Sequence, residues 1–350
     1  MKFWLGRLAL VLAVAFLGLP FVNASWLASK PVGAIKLIAH RGVAQQFSRK
    51  GVDNDSCTAT RIEPPVHNYL ENTSRSAQKA AEMGADMVEL DIAPTADGKI
   101  AVFHDWTVDC RTEGKGETRS RTLAELQALY PGYGYTADGG RTFPLRGLHK
   151  DHIPGLEEVL ATLPRAAILF NFKSKDAAEA DLLAAALKAA GRDVKAHGDG
   201  FYGAPGPVDR IRQIYPTAWA WTKEGAKACT KDYLLTGWTS FVPESCKNGT
   251  IMVPLNRQWA YWGWPNRLLQ RMNKAGARVV VIGPYGEGES GTGLSLPEQL
   301  GQIPSTFTGY IWVEDIWTVG PAFRPSRDYR NQAQIDAAEE GLKRRRARMK

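Results

Sequence analysis

Five short polar strings stand at the ends of apolar runs in this chain, and their placement constrains the fold more than any other feature. They are His40-Arg41-Gly42, Glu71-Asn72-Thr73, Glu89-Leu90-Asp91, His104-Asp105 and Asn171-Phe172-Lys173. Apolar runs that end in such side chains indicate parallel strands with a reactive edge at their carboxyl ends, where (β/α)8 barrels place their active sites. The residue types suit metal-assisted phosphoryl chemistry, because carboxylates bind hard cations and histidine transfers protons.

The apolar pattern predicts more strands than one barrel needs. The candidates are Ile35–His40, Met87–Ile92, Ile100–His104, Ala167–Phe172, Gly200–Gly203, Ala218–Trp221, Ile251–Pro254, Arg278–Ile282 and Tyr310–Val313. Helical patterns lie between them, such as Asn72–Met83 and Thr122–Leu129, and the alternation predicts a parallel sheet with right-handed crossovers. Nine candidates exceed the eight places of a barrel, so we expect one of the weaker middle candidates to be wrong.

Two long connections interrupt the alternation, Val43–Leu70 after the first strand and Trp106–Pro154 after the third. Connections of this length in a compact domain are usually functional or disordered. We interpret both as a cap that shapes the substrate site at the barrel mouth. The expected organisation is an N-terminal segment at 1–33, a barrel domain at 34–325 and a polar helical tail with a basic end at 326–350.

The strings LIAHRG, LENT, VELDIAPTADGKIAVFHD and ILFNFK resemble the glycerophosphodiester phosphodiesterase family, over a span from about Ile35 to Asp315. The resemblance implies a (β/α)8 TIM barrel, here with long inserted loops after strands 1 and 3. It also implies metal-dependent hydrolysis of glycerophosphodiesters to glycerol phosphate and an alcohol. Two rival functions stay open: a phospholipase-D-like lipid hydrolase on the same barrel, acting on lysophospholipid, and a noncatalytic phosphodiester-binding protein.

The resemblance assigns roles to individual residues. It implies that His40 and His104 are the general acid and base, and Lys173 neutralises phosphate charge. Arg41 offers a planar fork for two phosphate oxygens. Supporting positions are Glu71, Asp105 and Asp315. Glu71 could pair with Arg41, orient His40 or reach the metal, and the sequence does not separate these roles.

Two carboxylates predict a metal site. Glu89 and Asp91 lie two apart on a strand and share one face, where unpaired charges would repel unless a cation separates them. Oxygen ligands favour Mg²⁺ or Ca²⁺. The chain departs from the family at Asn171, where the family has a metal-binding glutamate, and at Glu314, where it usually has threonine. Asn171 can offer a carbonyl oxygen without charge.

The charge distribution argues against nucleic acid as a partner. The net charge is +8, but six basic residues fall within the last eight positions, and Lys2, Arg7 and Lys30 precede the barrel. Without these nine residues, 35 basic side chains face 36 acidic ones. A broad positive surface is therefore not expected.

The N-terminus and the cysteines indicate export to the periplasm or the extracellular space. Lys2 and Arg7 precede an apolar run, Leu8–Val22, which predicts either a cleaved signal peptide or an uncleaved membrane anchor. The even cysteine count favours two disulfides in an exported chain. We expect Cys57 to pair with Cys110 across the two insertions, and Cys229 to pair with Cys246.

Overall fold

The computed structural model describes residues 4, 6–7, 13, 18–53, 56–148, 151–286 and 293–348. The strands are β1 (Lys36–His40), β2 (Met87–Pro94), β3 (Ile100–Val102), β4 (Ala167–Phe172), β5 (Gly200–Gly203), β6 (Trp219–Thr222), β7 (Thr250–Pro254), β8 (Arg278–Ile282) and β9 (Tyr310–Val313). The helices are α1 (Ser74–Glu82), α2 (Leu123–Gln127), α3 (Leu156–Thr162), α4 (Ala178–Ala189), α5 (Val194–His197), α6 (Pro205–Ile214), α7 (Lys223–Thr236), α8 (Asn266–Lys274), α9 (Ile316–Phe323) and α10 (Gln332–Arg348).

Eight parallel strands form a nearly closed barrel in the order β6-β5-β4-β2-β1-β9-β8-β7. At the two ends of this ladder, the Trp219 indole Nε1 of β6 donates to the Thr250 hydroxyl of β7 over 2.9 Å. Alternate residues face the barrel axis and the surrounding helices, as Ile38 and Leu37 do. The predicted TIM barrel is confirmed.

The third strand is not part of the barrel ladder, which corrects the sequence prediction. All nine candidates form strands, and the extra one is β3, which pairs antiparallel with β2 in the register Ile92↔Val102 and Pro94↔Ile100. Only residues 95–99 separate the two strands. A parallel crossover needs about a dozen residues or more, so this short connection permits only a hairpin. The second insertion therefore follows a hairpin strand rather than a barrel strand.

The helix starts follow local capping chemistry. The Thr73 hydroxyl accepts from the Ser76 backbone N–H at the start of α1, and Thr122 forms the predicted capping box with Glu125 at the start of α2. Helix α1 begins two residues later than the sequence pattern suggested, because Asn72 adopts a φ of +58° that no helix accommodates.

The two insertions pack against each other and are joined covalently. A disulfide links Cys57 of the first insertion to Cys110 of the second. A small apolar core of their own includes Ala59, Leu70 and Tyr135. The second disulfide joins Cys229 of α7 to Cys246. Both disulfides expected from the sequence are therefore present, and the insertions form one cap.

The C-terminal helix α10 is docked on the barrel through a buried arginine. Arg345 is 2% exposed. Its guanidinium contacts the Asp315 carboxylate over 2.5 Å and the Glu63 carboxylate over 3.2 Å. Asp315, which the sequence suggests as a supporting residue of the site, lies buried in this ion pair.

The N-terminal apolar run lies largely outside the described residues. Its described end reaches the barrel, where Asn23 and Ser25 contact α8. Within the described part of the chain, we find no helix with the length and apolar character needed to cross a bilayer.

Replacing Arg345 with alanine should lower the free energy of unfolding by about 3–5 kcal/mol, because the buried Asp315 would lose its counter-charge. Glu63 keeps its ion pair with Arg348. The matched control is Arg346→Ala, which removes a half-exposed pair with Glu298 and should cost under about 1 kcal/mol. Urea unfolding of the two variants measures the difference. Equal losses would show that α10 is not held by this ion pair.

Candidate active site

His40 ends β1 and is fixed by Glu314, the residue that follows β9. Its ring Nδ1 lies 3.0 Å from both carboxylate oxygens of Glu314. Because a carboxylate only accepts, Nδ1 carries the proton and Nε2 is left as an acceptor on the side of Glu89, 3.9 Å away. Burial lowers the pKa of His40 to about 3, so the ring is neutral.

His104 does not end a barrel strand. It lies two residues after β3, the second strand of the β2–β3 hairpin. The Phe103 backbone N–H bonds to the Asp91 carbonyl, which brings His104 back to the level of Asp91. Ring Nδ1 lies 2.6 Å from the Asp105 carboxylate, and Nε2 lies 2.7 Å from the Lys173 ammonium. Burial lowers the pKa of His104 to about 4.

The two histidines thus have matching surroundings. Each ring Nδ1 faces a carboxylate, and each carboxylate binds an arginine from an insertion. Arg111 of the second insertion donates to Asp105 over 2.8 Å, and Arg49 of the first contacts Glu314. Burial raises the pKa of Asp105, but Arg111 and His104 together outweigh burial and hold it well below its usual range.

Glu89 and Asp91 lie on one face of β2 with no exposed side-chain surface, and their surroundings differ. Glu89 accepts from the Tyr202 hydroxyl over 2.7 Å, and burial raises its pKa together with the neighbouring Asp91 charge. Asp91 lies 3.2 Å from Arg41 Nε, and Arg41 holds the pKa of Asp91 well below its usual range against the effect of burial.

Arg41 connects this carboxylate pair to the cap. Its Nη1 donates to Glu71 over 2.8 Å, and Glu71 also lies 3.2 Å from Arg111. Of the roles considered for Glu71, its contacts are those of an ion pair with Arg41. Lys173 lies 3.9 Å from Asp91, and burial lowers its pKa.

Asn171 of β4 sits directly opposite Asp91 of β2 in the parallel register. Its Nδ2 donates to Asp91 over 2.7 Å, whereas its buried Oδ1 has no hydrogen-bond partner. No group of three His, Cys, Asp or Glu side chains that could hold a metal occurs among the described residues. Glu89, Asp91 and the unpaired Asn171 Oδ1 nevertheless form an all-oxygen set that fits a hard cation.

Sequence reasoning gave no role to four residues of this network: Glu314, which it noted only as a departure from the family, Arg49, Arg111 and Tyr202. Glu314 carried a usable signal, because it directly follows a barrel strand. Arg49 and Arg111 lie in the insertions, where the sequence shows no strand pattern. Only Arg111 carried a signal, because it follows Cys110, which was expected to form a disulfide. Tyr202 has no distinguishing feature in the sequence, and only the structure shows that its hydroxyl donates to Glu89.

Comparisons with known proteins show which family the first half of this chain resembles. Residues 40–201 match the sequence model of the glycerophosphoryl diester phosphodiesterase family. A glycerophosphodiester phosphodiesterase of Caldanaerobacter subterraneus is 36% identical over 108 residues, which cover 31% of this chain and 41% of that protein. Glycerophosphodiester phosphodiesterase 1 of Mus musculus is 31% identical over 159 residues, which cover 45% of this chain and 39% of that protein. The matches thus span about two fifths of these relatives.

Solved structures show the same fold. A glycerophosphodiester phosphodiesterase of Agrobacterium tumefaciens aligns with 82% of this chain and 99% of its own, at 21% identity and a TM-score of 0.51. A phosphodiesterase of Oleispira antarctica in complex with the product sn-glycerol-3-phosphate aligns with 83% of this chain and 96% of its own, at 17% identity and a TM-score of 0.50.

Replacing Cys57 and Cys110 together by serine should disturb the site and not only the stability. The residues next to these cysteines, Thr58 and Arg111, are hydrogen-bonded over 2.8 Å, and Arg111 holds the Asp105 partner of His104. We expect the ¹⁵N ring signals of His104 to shift or broaden. The matched control, Cys229→Ser with Cys246→Ser, should cost about 3 kcal/mol in stability and leave those signals in place. Unchanged His104 signals in both double variants would contradict this role of the cap.

Proposed function

We propose that the chain hydrolyses glycerophosphodiesters to glycerol phosphate and an alcohol, a proposal supported by the match of residues 40–201 to the sequence model of the glycerophosphoryl diester phosphodiesterase family. The observation that carries the proposal is the pair of histidines, each fixed by a carboxylate, beside Arg41 and Lys173. A neutral imidazole with a fixed tautomer can take a proton at Nε2, and the neighbouring cations attract a phosphodiester.

The proposed reaction has two steps. A hydroxyl of the glycerol attacks phosphorus while one histidine, in its neutral form, takes its proton. The bond from phosphorus to the alcohol oxygen breaks as the other histidine, which enters the step protonated, gives its proton to that oxygen. Water then opens the resulting cyclic phosphate. Arg41 and Lys173 stabilise the negative charge that spreads over the phosphoryl oxygens. Asp105 and Glu314 hold the two rings in position.

A divalent cation, Mg²⁺ or Ca²⁺, would be held by Glu89, Asp91 and Asn171. Bound there, it would supply further positive charge to the phosphoryl oxygens. The unpaired Asn171 Oδ1 supports this assignment, since a buried carbonyl oxygen without a partner is costly unless something binds it.

We infer that residues 34–325 form the catalytic domain and that the chain is exported. Two disulfides support export, because such bonds persist in oxidising compartments. The decisive experiment for the function is release of glycerol phosphate from a panel of soluble glycerophosphodiesters with Mg²⁺, with Ca²⁺ and with chelator. Binding without release would favour a noncatalytic protein, and release only from micellar lysophospholipid would favour a lipid hydrolase.

Replacing either His40 or His104 with alanine should lower kcat by roughly 10²–10⁴, the usual contribution of general acid–base catalysis. Steady-state kinetics on the best substrate of the panel measures the loss, with circular dichroism to show that the fold is kept. A loss of less than about tenfold in both variants would make the histidines structural.

Replacing Glu314 with threonine, the residue usual in the family, should lower kcat more than it changes KM, because the His40 ring loses its partner. A hydrogen bond to a charged group contributes ~1.5–3 kcal/mol, which corresponds to roughly 10- to 150-fold in rate. Glu314→Asp should restore part of the activity. Equal losses in both variants would indicate that Glu314 only supports the fold.

Replacing Asn171 with glutamate should raise cation affinity, because the affinity of hard cations follows ligand charge and number. Asn171→Leu should lower it by removing the carbonyl. Calorimetric titration of Mg²⁺ and Ca²⁺ into wild type and both variants provides the comparison. Indistinguishable affinities would show that Asn171 is not a ligand.

A further inference from the structure

An apolar face lies on the flank of the barrel, formed by α7 and the segments that connect it to α8. Its side chains are large, aromatic for the most part, and open to solvent: Trp259 is 79% exposed and Phe241 80%, with Leu235, Trp238 and Trp262 beside them. Trp259 and Trp262 also line a groove of about 580 Å³. Isolated exposed apolar residues are normal in soluble proteins, but a cluster of this size marks an interaction surface.

The N-terminal apolar run ends on this same face. Asn23 lines the groove, its Nδ2 donates to the Trp238 carbonyl over 2.9 Å, and Arg271 of α8 donates to its Oδ1 over 2.9 Å. The next residues, Trp26 and Leu27, add further exposed apolar surface. The described end of the run, residues 18–22, therefore leads onto the aromatic face.

The excess of basic residues around the aromatic face favours a negatively charged partner. Residues 223–274 carry eight lysines and arginines against three acidic residues, although the barrel domain as a whole is nearly balanced. Lys227, Lys231, Lys247 and Arg257 are exposed. Tryptophan with basic residues around it is the composition that proteins use at the surface of an anionic bilayer, where indole rings sit at the headgroup level.

We propose that this aromatic face docks on the surface of an anionic phospholipid bilayer. Trp259, Trp262 and Phe241 enter the headgroup region, and the surrounding lysines and arginines face the lipid phosphates. The folded domain therefore contacts the membrane directly, whether the N-terminal run is removed or kept. This surface is separate from the catalytic chemistry proposed above and does not depend on it.

The test uses the full chain with vesicles of phosphatidylcholine and phosphatidylglycerol whose acyl chains carry bromine, which quenches nearby tryptophan emission. We expect quenching in wild type and a clear loss of the quenched component in Trp259→Phe, which keeps an aromatic ring. The matched control, Trp106→Phe, removes an exposed indole from the cap and should leave the quenched component intact.

Three results would overturn the proposal: no binding to these vesicles, binding in which Trp259→Phe is quenched as strongly as wild type, or binding unaffected by replacing phosphatidylglycerol with phosphatidylcholine. A dimer in sedimentation velocity that Trp259→Ser dissociates would instead assign the face to a second copy of the chain. Hydrolysis of soluble substrate by Trp259→Phe reports separately on the proposed function.

Discussion

Two buried carboxylates on one strand, Glu89 and Asp91, are the constraint on which the site depends. Burying both charges next to each other is unfavourable unless cations and hydrogen-bond donors surround them. The chain supplies Arg41 and Lys173 as cations, and Asn72, Asn171 and Tyr202 as donors. These residues come from four segments, so the carboxylate pair on β2 gathers the ends of β1 and β4, strand β5 and the start of α1 at one point.

The cap extends this electrostatic network instead of only covering it. Arg111 binds both Glu71 and Asp105, and Arg49 binds Glu314. The insertions therefore supply the counter-charges for the carboxylates that fix the histidines. Since the disulfide between Cys57 and Cys110 joins the two insertions, the positions of the two rings are coupled through the cap.

The sequence predicted the barrel because each strand is short, apolar and followed by a helix pattern or a polar string. It placed His40, Glu89, Asp91 and Lys173 correctly at one edge, since parallel strands bring their carboxyl ends together. The pattern did not distinguish β3 from a barrel strand, although its five-residue connection to β2 permits only a hairpin. It also gave no sign of the ion pair between Asp315 and Arg345, which lie 30 residues apart. Contacts made by the insertions and by α10 depend on tertiary packing, which no local pattern encodes.

The incomplete closure of the barrel has a consequence for its motions. The ladder ends at β6 and β7, which a side-chain contact joins, and the strands that carry the site, β4, β2, β1 and β9, are neighbours in the middle of the order. Backbone amides along the β6–β7 seam have fewer ladder partners and should open at lower free energy than those of the central strands. Local opening of the barrel is therefore expected at β6 and β7, on the opposite side from the strands that carry His40 and the two carboxylates. The side chains of the site can keep their relative positions while hydrogen bonds at β6 and β7 open and close.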